Sequence, residues 1–303
     1  MRPIFTRLLE DKQSNVSRHM RAMYPATLEL RRLVRAAAGD IIVHPGDANA
    51  GTVGTAFDIL SGFLLIDDYV PLNPPTSHVW RPVYGLIAQR LTEYAHEDKA
   101  GRATDDDFYR YIWVLAELAS IVRGGHANPD SALEKAVRDA AGIDALLGIT
   151  PDDGIRQLRE LEAVAAEHLY PHLEPARKAP VAFPAVRDLV QAEADIIAGD
   201  MLLDFKSGTS APHQTTGARA FFPTSADIYQ ILGYALMDDP DDGYGINAVG
   251  FYAARFGHSS VWELPQLLGI TAGGHAVNVD AARAWFRSAL EADYNAVLSN
   301  IMN

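Results

Sequence analysis

Asp195, Asp204 and Lys206 fall close together in the stretch EADIIAGDMLLDFKSG, residues 193–208. With Gly199-Asp200 as a two-residue loop, glycine leading as a type II′ turn prefers, the flanking segments pair as a hairpin. Ala198 then faces Met201, Ile197 faces Leu202, Ile196 faces Leu203 and Asp195 faces Asp204, followed by Ala194 with Phe205 and Glu193 with Lys206. Side chains alternate along a strand. One face therefore presents Glu193, Asp195, Asp204 and Lys206, and the other Ala194, Ile196, Leu203 and Phe205. Directly opposed like charges destabilise a strand pair, their Cβ atoms being only about 4.5–5.5 Å apart. A divalent cation reverses the sign of that cost, and Mg²⁺ and Mn²⁺ favour carboxylate and carbonyl oxygens. Asp195 and Asp204 are the expected ligands, the Phe205 carbonyl a further donor, and Lys206 the group that holds or deprotonates a nearby water. The plainer alternative is a solvent-facing strand pair with a Glu193–Lys206 salt bridge. It accounts for the lysine and leaves Asp195 opposite Asp204 without a reason.

These residues resemble the core of the PD-(D/E)xK nucleases, in which one strand brings an aspartate and the next brings (D/E)-x-K. Asp195 matches the first acid, and Asp204-Phe205-Lys206 matches D-x-K. Downstream, QILGY supplies Gln230 and Tyr234, similar to the Q-x-x-x-Y of the RecB-like branch; the i, i+4 spacing puts both on one helix face. Upstream, GTAFD (54–58) resembles the G-x-x-x-H that opens that branch, with Asp58 where the branch has a metal-binding histidine. The resemblance implies Mg²⁺ or Mn²⁺ held by Asp195, Asp204, the Phe205 carbonyl and Asp58, with Gln230 and Tyr234 positioning the lysine or substrate. It implies phosphodiester hydrolysis leaving a 5′-phosphate. It covers residues 186–255 and 54–66, and 67–185 then reads as a helical insertion. Asp58 has a second reading, because Thr55-Ala-Phe-Asp58 fits the pattern that caps a helix start.

Other constellations are weaker. Glu167-His168 and His172 have the spacing of a zinc helix, but Pro171 lies between the histidines and breaks it. GDANAGTVG lacks the G-K-[ST] of a phosphate loop, and no G-x-S-x-G occurs. His126 reads as a loop histidine. His213 and Arg219 lie on the connection after the D-x-K strand, within reach of a phosphate.

The elements that would position these groups follow from apolar spacing and from Gly/Pro interruptions. Helices are expected over 16–38, from Thr55 onward, over 80–97, 104–122, 131–147, 154–169, 224–239 and 278–300. Residues 39–54 read as loop and 170–184 as a proline-rich connector. Strands are expected over 189–199, 201–207, 245–257 and 259–265. The expected fold is mixed α/β, a PD-(D/E)xK-type central sheet flanked by helices with a large helical N-terminal or inserted region. The expected organisation is a basic helical segment (1–53), a mainly helical region carrying the first motif (54–185), and the core with its closing helix (186–303), forming one unit with 54–66.

Composition bounds the rest. The 303 residues include no cysteine, which removes disulfides, thiolate metal sites and cysteine nucleophiles. No long apolar run suggests a membrane span, and the charged start MRPIFTRLLEDKQ is unlike a signal peptide, so a cytoplasmic protein is expected. Residues 1–35 carry eight Lys/Arg against three acids, a net +5, which leaves −18 for the remainder of a chain at −13 overall. Such a body repels nucleic acid at long range while the basic arm offsets it locally. The expected activity is a metal-dependent nuclease acting on DNA, or on RNA. The alternative is an inactive subunit of this fold that binds nucleic acid or docks a basic protein partner.

Overall fold

The computed structural model describes residues 2–67, 69–70, 80–97, 106–124, 131–139, 142–173, 177–211, 213–239 and 243–302. His126 lies outside them. The strands are β1 (Arg177–Lys178), β2 (Val181–Ala182), β3 (Glu193–Ala194), β4 (Ile196–Ala198), β5 (Met201–Lys206), β6 (Ala248–Ala253) and β7 (His258–Glu263). Helices before the first strand are α1 (Phe5–Glu10), α2 (Asn15–Met23), α3 (Thr27–Ala37), α4 (Ala50–Leu65), α5 (Trp80–Glu97), α6 (Asp106–Gly124), α7 (Ala132–Arg138), α8 (Ile143–Leu147) and α9 (Asp152–His168). Three follow within and after the sheet: α10 (Ser225–Leu236), α11 (Leu264–Thr271) and α12 (Val279–Met302). Among the described residues no helix is long and apolar enough to cross a membrane.

The main sheet has the order β1-β4-β5-β6-β7. β4 and β5 form the expected hairpin, with Ala198 opposite Met201, Ile197 opposite Leu202 and Ile196 opposite Leu203. Gly199 takes φ +61° in the turn, a conformation that costs a Cβ-bearing residue. The chain crosses through α10 to β6, parallel to β5, and β7 returns antiparallel. The mixed α/β expectation, a central sheet with helices on both faces, is met.

Each face of the sheet has its own apolar core. Leu202, Val249 and Phe251 pack with α1–α3, α10, α11 and α12. Leu203, Phe205 and Tyr252 pack with α4, α6 and α9. Alternation along β5 therefore sends Asp204 and Lys206 to the α10 side, with Leu202.

Several expectations are corrected. The helix over 16–38 is two helices, because Pro25 removes an amide and the residue before it avoids the helical region. The helix expected from Thr55 begins at Ala50, where the Asn49 side chain accepts the Thr52 N–H at 3.0 Å. The glycines of 51–54 are thus helical, and the Thr55–Asp58 cap does not form. Residues 131–147 form two short helices, and the segment 170–184 contributes β1 and β2. Helices α1 and α11 were not anticipated. The strand expected over 189–199 is interrupted at Asp195, so the ladder stops at Ile196–Leu203. Glu193 pairs with Ala182 and Ala194 with Val181, in place of Lys206 and Phe205. That break also moves Ala194 to the α10-side core, away from Ile196, Leu203 and Phe205.

Candidate active site

Asp204 and Lys206 stand on the central strand β5, which has hydrogen-bonded neighbours on both sides. Asp204 is 1% exposed. Lys206 Nζ lies 2.8 Å from Asp204 Oδ2 and 3.2 Å from Asp227 Oδ1. It also donates to Gln230 Oε1 at 3.3 Å, and Gln230 Nε2 in turn donates to the Tyr234 hydroxyl at 2.9 Å. Gln230 and Tyr234 share the face of α10 that covers β5, as their spacing predicts. Tyr234 is fixed from behind by Phe183, stacked at 5.6 Å between ring centroids, and by Phe5 at 5.4 Å.

Asp195 occupies the bend between β3 and β4, and its Oδ2 accepts the Phe205 N–H at 2.6 Å. The two aspartates thus come together through a side-chain-to-backbone bond, not as the ladder pair expected. Phe205 holds Asp195 with its amide while its ring packs against Phe57 and Tyr252. Asp58 lies two turns into α4 and acts on the same site: after burial itself, its charge is the largest influence raising the Asp195 pKa, followed by Asp204. Gly54 explains how α4 gets there. A Cβ at that position would sit 2.9 Å from Ser207 Oγ, so the bare glycine lets the helix approach the residue after Lys206.

Burial pushes both Asp195 and Asp204 above the ordinary carboxylate range, and Lys206 opposes the rise in each. Burial alone would lower Lys206. The surrounding charges of Asp204, Asp227 and Asp195 outweigh it, and the net shift is upward. In the metal-free protein these carboxylates favour the ammonium form of Lys206.

Three residues of this cluster carried no expectation. Asp227 divides its two oxygens: Oδ1 faces Lys206, while Oδ2 accepts the Thr224 N–H and hydroxyl, each at 2.7 Å, completing a capping box. The T-x-x-D pattern at the start of α10 was a legible signal. Tyr69 is raised well above its usual range by burial and then by Glu193, Asp58, Tyr84 and Asp195. Tyr84 is pushed up to about 12 by burial and Glu193. No sequence pattern marks these two tyrosines.

The donors suit a hard cation in kind. Asp204 Oδ2 is buried and meets Lys206 as an ion pair with no directed hydrogen bond, which leaves lone pairs uncommitted. Yet among the described residues no group of three His, Asp or Glu side chains is arranged to hold a metal. The other candidates fall outside this hydrogen-bonded relay. His168 ends α9 and His172 falls in a separate 3₁₀ turn. Arg219 Nη1 donates to Thr209 Oγ1 and to the Ser210 carbonyl, and His213 Nδ1 accepts the Thr215 N–H, so both brace their own loop. Comparison of the chain with protein-family models, with curated proteins and with solved structures finds no match.

Proposed function

We propose that the chain is a divalent-metal-dependent nuclease of PD-(D/E)xK type, hydrolysing phosphodiester bonds of DNA in preference to RNA. The observation that carries this reading is the relay from Asp204 and Asp227 through Lys206 to Gln230 and Tyr234. Surface charges have no need of such a relay. A strand bearing D-x-K, an acid at the bend before its hairpin partner, and a helix that delivers Q-x-x-x-Y onto the lysine together approach the arrangement the sequence resemblance implies. Asp195 and Asp204 are the residues to hold Mg²⁺ or Mn²⁺, with Asp58 and the Phe205 carbonyl as further donors. Such an ion, when bound, supplies Lewis-acid activation of water and neutralises phosphate charge.

The chain's own groups do the rest. Lys206 keeps its proton on Nζ and places a fixed positive charge beside the phosphoryl oxygens, where negative charge develops. Gln230 orients that ammonium, and Tyr234 orients Gln230. Asp227 holds the lysine against the start of α10 until a phosphate competes for it.

A panel of labelled DNA and RNA strands incubated with Mn²⁺ tests the proposal. The wild type is expected to cleave at least one, and Lys206→Ala to lose about 10²–10⁴-fold in rate. Equal cleavage by the variant removes Lys206 from the chemistry. A second reading rests on the Lys206–Asp204–Asp227 contacts, which already neutralise the lysine internally. A site so balanced can persist without an ion, in an inactive binding or assembly subunit. Calorimetry with Mn²⁺ separates the two, since an active site binds the ion and loses it on Asp204→Ala.

A further inference from the structure

Helix α3 lies against the entrance to α10, the helix that holds the lysine. Arg31 Nε donates to the Pro223 carbonyl at 2.7 Å, and Thr27 Oγ1 is 2.8 Å from Ser225 Oγ. Pro223 immediately precedes Thr224, which is bonded to Asp227, the partner of Lys206. From the Arg31 guanidinium to the catalytic ammonium there are thus only a few bonded steps.

The side chains on this helix are arranged unusually for so acidic a protein. Arg31 and Arg35 both lie over the Phe222 ring, at 4.1 and 5.8 Å from its centroid. Among the described residues neither has a carboxylate partner within ion-pair distance, although the chain holds 39 acids against 26 Lys/Arg. Arg32, between them in sequence, is 67% exposed and meets Glu29 only at 3.9 Å. Stacking on an aromatic ring fixes a guanidinium's plane while leaving its outward N–H donors for another acceptor. An acidic body that keeps two arginines unpaired and pre-oriented beside its candidate site is shaped for a polyanion.

We infer that the arginine face of α3 (Arg31, Arg32 and Arg35) is the phosphate-binding rail along which a polynucleotide reaches the Lys206 site. This inference deepens the nuclease reading and rests on it for the direction in which the strand runs. Charge complementarity commits it to nucleic acid: phosphates spaced along a strand match a row of guanidiniums, whereas the remaining −18 of charge repels any polyanion placed elsewhere.

The test separates binding from cleavage. Polarisation of a fluorescein-labelled 20-nucleotide strand, and of its duplex, is titrated in EDTA across a salt series. The proteins are wild type, Arg31→Gln/Arg32→Gln/Arg35→Gln, and Arg32→Gln/Arg35→Gln, which spares the Pro223 contact. A charge-matched control carries Arg81→Gln/Arg90→Gln/Arg138→Gln. The triple variant is expected to lose about tenfold or more in affinity, with its log–log salt slope reduced by about 2 for the single strand. The double variant should lose part of both, and the control neither. Wild-type slope and affinity in the triple variant, an equal loss in the control, or no strand binding by the wild type at low salt each overturns the inference. Equal displacement of the strand from wild type and triple variant by polyglutamate does so too.

Hydrolysis of bis(p-nitrophenyl) phosphate with Mn²⁺ is measured beside it, because that substrate is too small to need a rail. The Arg32→Gln/Arg35→Gln variant, which keeps the Arg31–Pro223 contact, should retain wild-type turnover there. A wild type inert on this ester and on all strands counts against the nuclease reading, while the binding comparison still decides the rail.

Discussion

Asp195 accepts the backbone N–H of Phe205 at 2.6 Å, so the first acid of the site is fixed by the strand that carries the other. The bond explains how two carboxylates are kept close when the ladder between their strands has already ended. It also divides what Asp195 does into a structural part, met by any side-chain acceptor, and an electrostatic part, which needs the charge.

Asp195→Asn retains an oxygen acceptor and removes the charge; Asp195→Ala removes both. The alanine variant leaves the Phe205 amide without its acceptor, at a cost of about 1–3 kcal/mol. Asn is therefore expected to be the more stable by that margin in urea denaturation, with Mn²⁺ binding weakened in both. Equal stability of the two variants would show that the bond contributes nothing.

The acids also set a pH dependence in metal-free protein. Burial and the charges of Asp58 and Asp204 raise the Asp195 pKa above its ordinary value of 3.8. Between 3.8 and the raised value the folded state binds more protons than the unfolded, so stability falls as pH rises through that window. In EDTA the melting temperature is expected to drop as pH rises above about 4, and Asp195→Asn to flatten the drop. Asp153 acts in the opposite sense at lower pH. The Ala48 N–H, Arg156 and Gln157 hold it down to about 2 despite its partial burial, so its contribution is present above 3.8 and is lost as pH falls towards 2. A melting curve for Asp153→Asn that keeps the wild-type acid slope would refute that assignment.

Asp227 serves the helix and the lysine together. Asp227→Ala removes a capping box, costing about 1 kcal/mol, and frees Lys206 from one of its anchors. Cleavage is expected to fall by about tenfold, more than so small a loss of stability accounts for. Asp227→Asn, which can still accept from Thr224, should recover stability and not rate.

Arg255 is 2% exposed, and burial lowers its pKa to about 10. It donates to the Ser207 carbonyl and to Gln157 Oε1, each at 2.6 Å, tying the end of β5 to α9. Arg255→Met should cost about 3 kcal/mol by stranding those acceptors. Adding Gln157→Leu should restore part of that, because removing both partners is milder than removing one. Chemical denaturation of the single and double variants checks this.

Much of this was legible in the sequence for identifiable reasons. The hairpin register followed from Gly199 and from alternation, and the Gln230–Tyr234 face from i, i+4 spacing. What escaped was long-range. Nothing local in ADIIAG announces that the strand breaks at Asp195, because the break is stabilised by a bond to Phe205, ten residues away. The helical start at Ala50 hid behind glycines, whose low propensity is overridden by the Asn49 cap and by packing of Val53, Ala56 and Phe57 in the core. Tyr69 and Tyr84 come under the influence of Glu193 through the long-range fold and not through any local pattern.

The ring of Phe5, wedged between Tyr234 and Phe286, ties α1 to both α10 and α12. Asn15 and Val16 likewise donate their amides to Asp293, across 278 and 277 residues. The opening helices therefore depend for part of their packing on segments far downstream in the chain. A chain cut short before α12 would keep Asp195, Asp204, Lys206 and the Phe5–Tyr234 contact, but its opening helices would lose the Phe286 and Asp293 anchors.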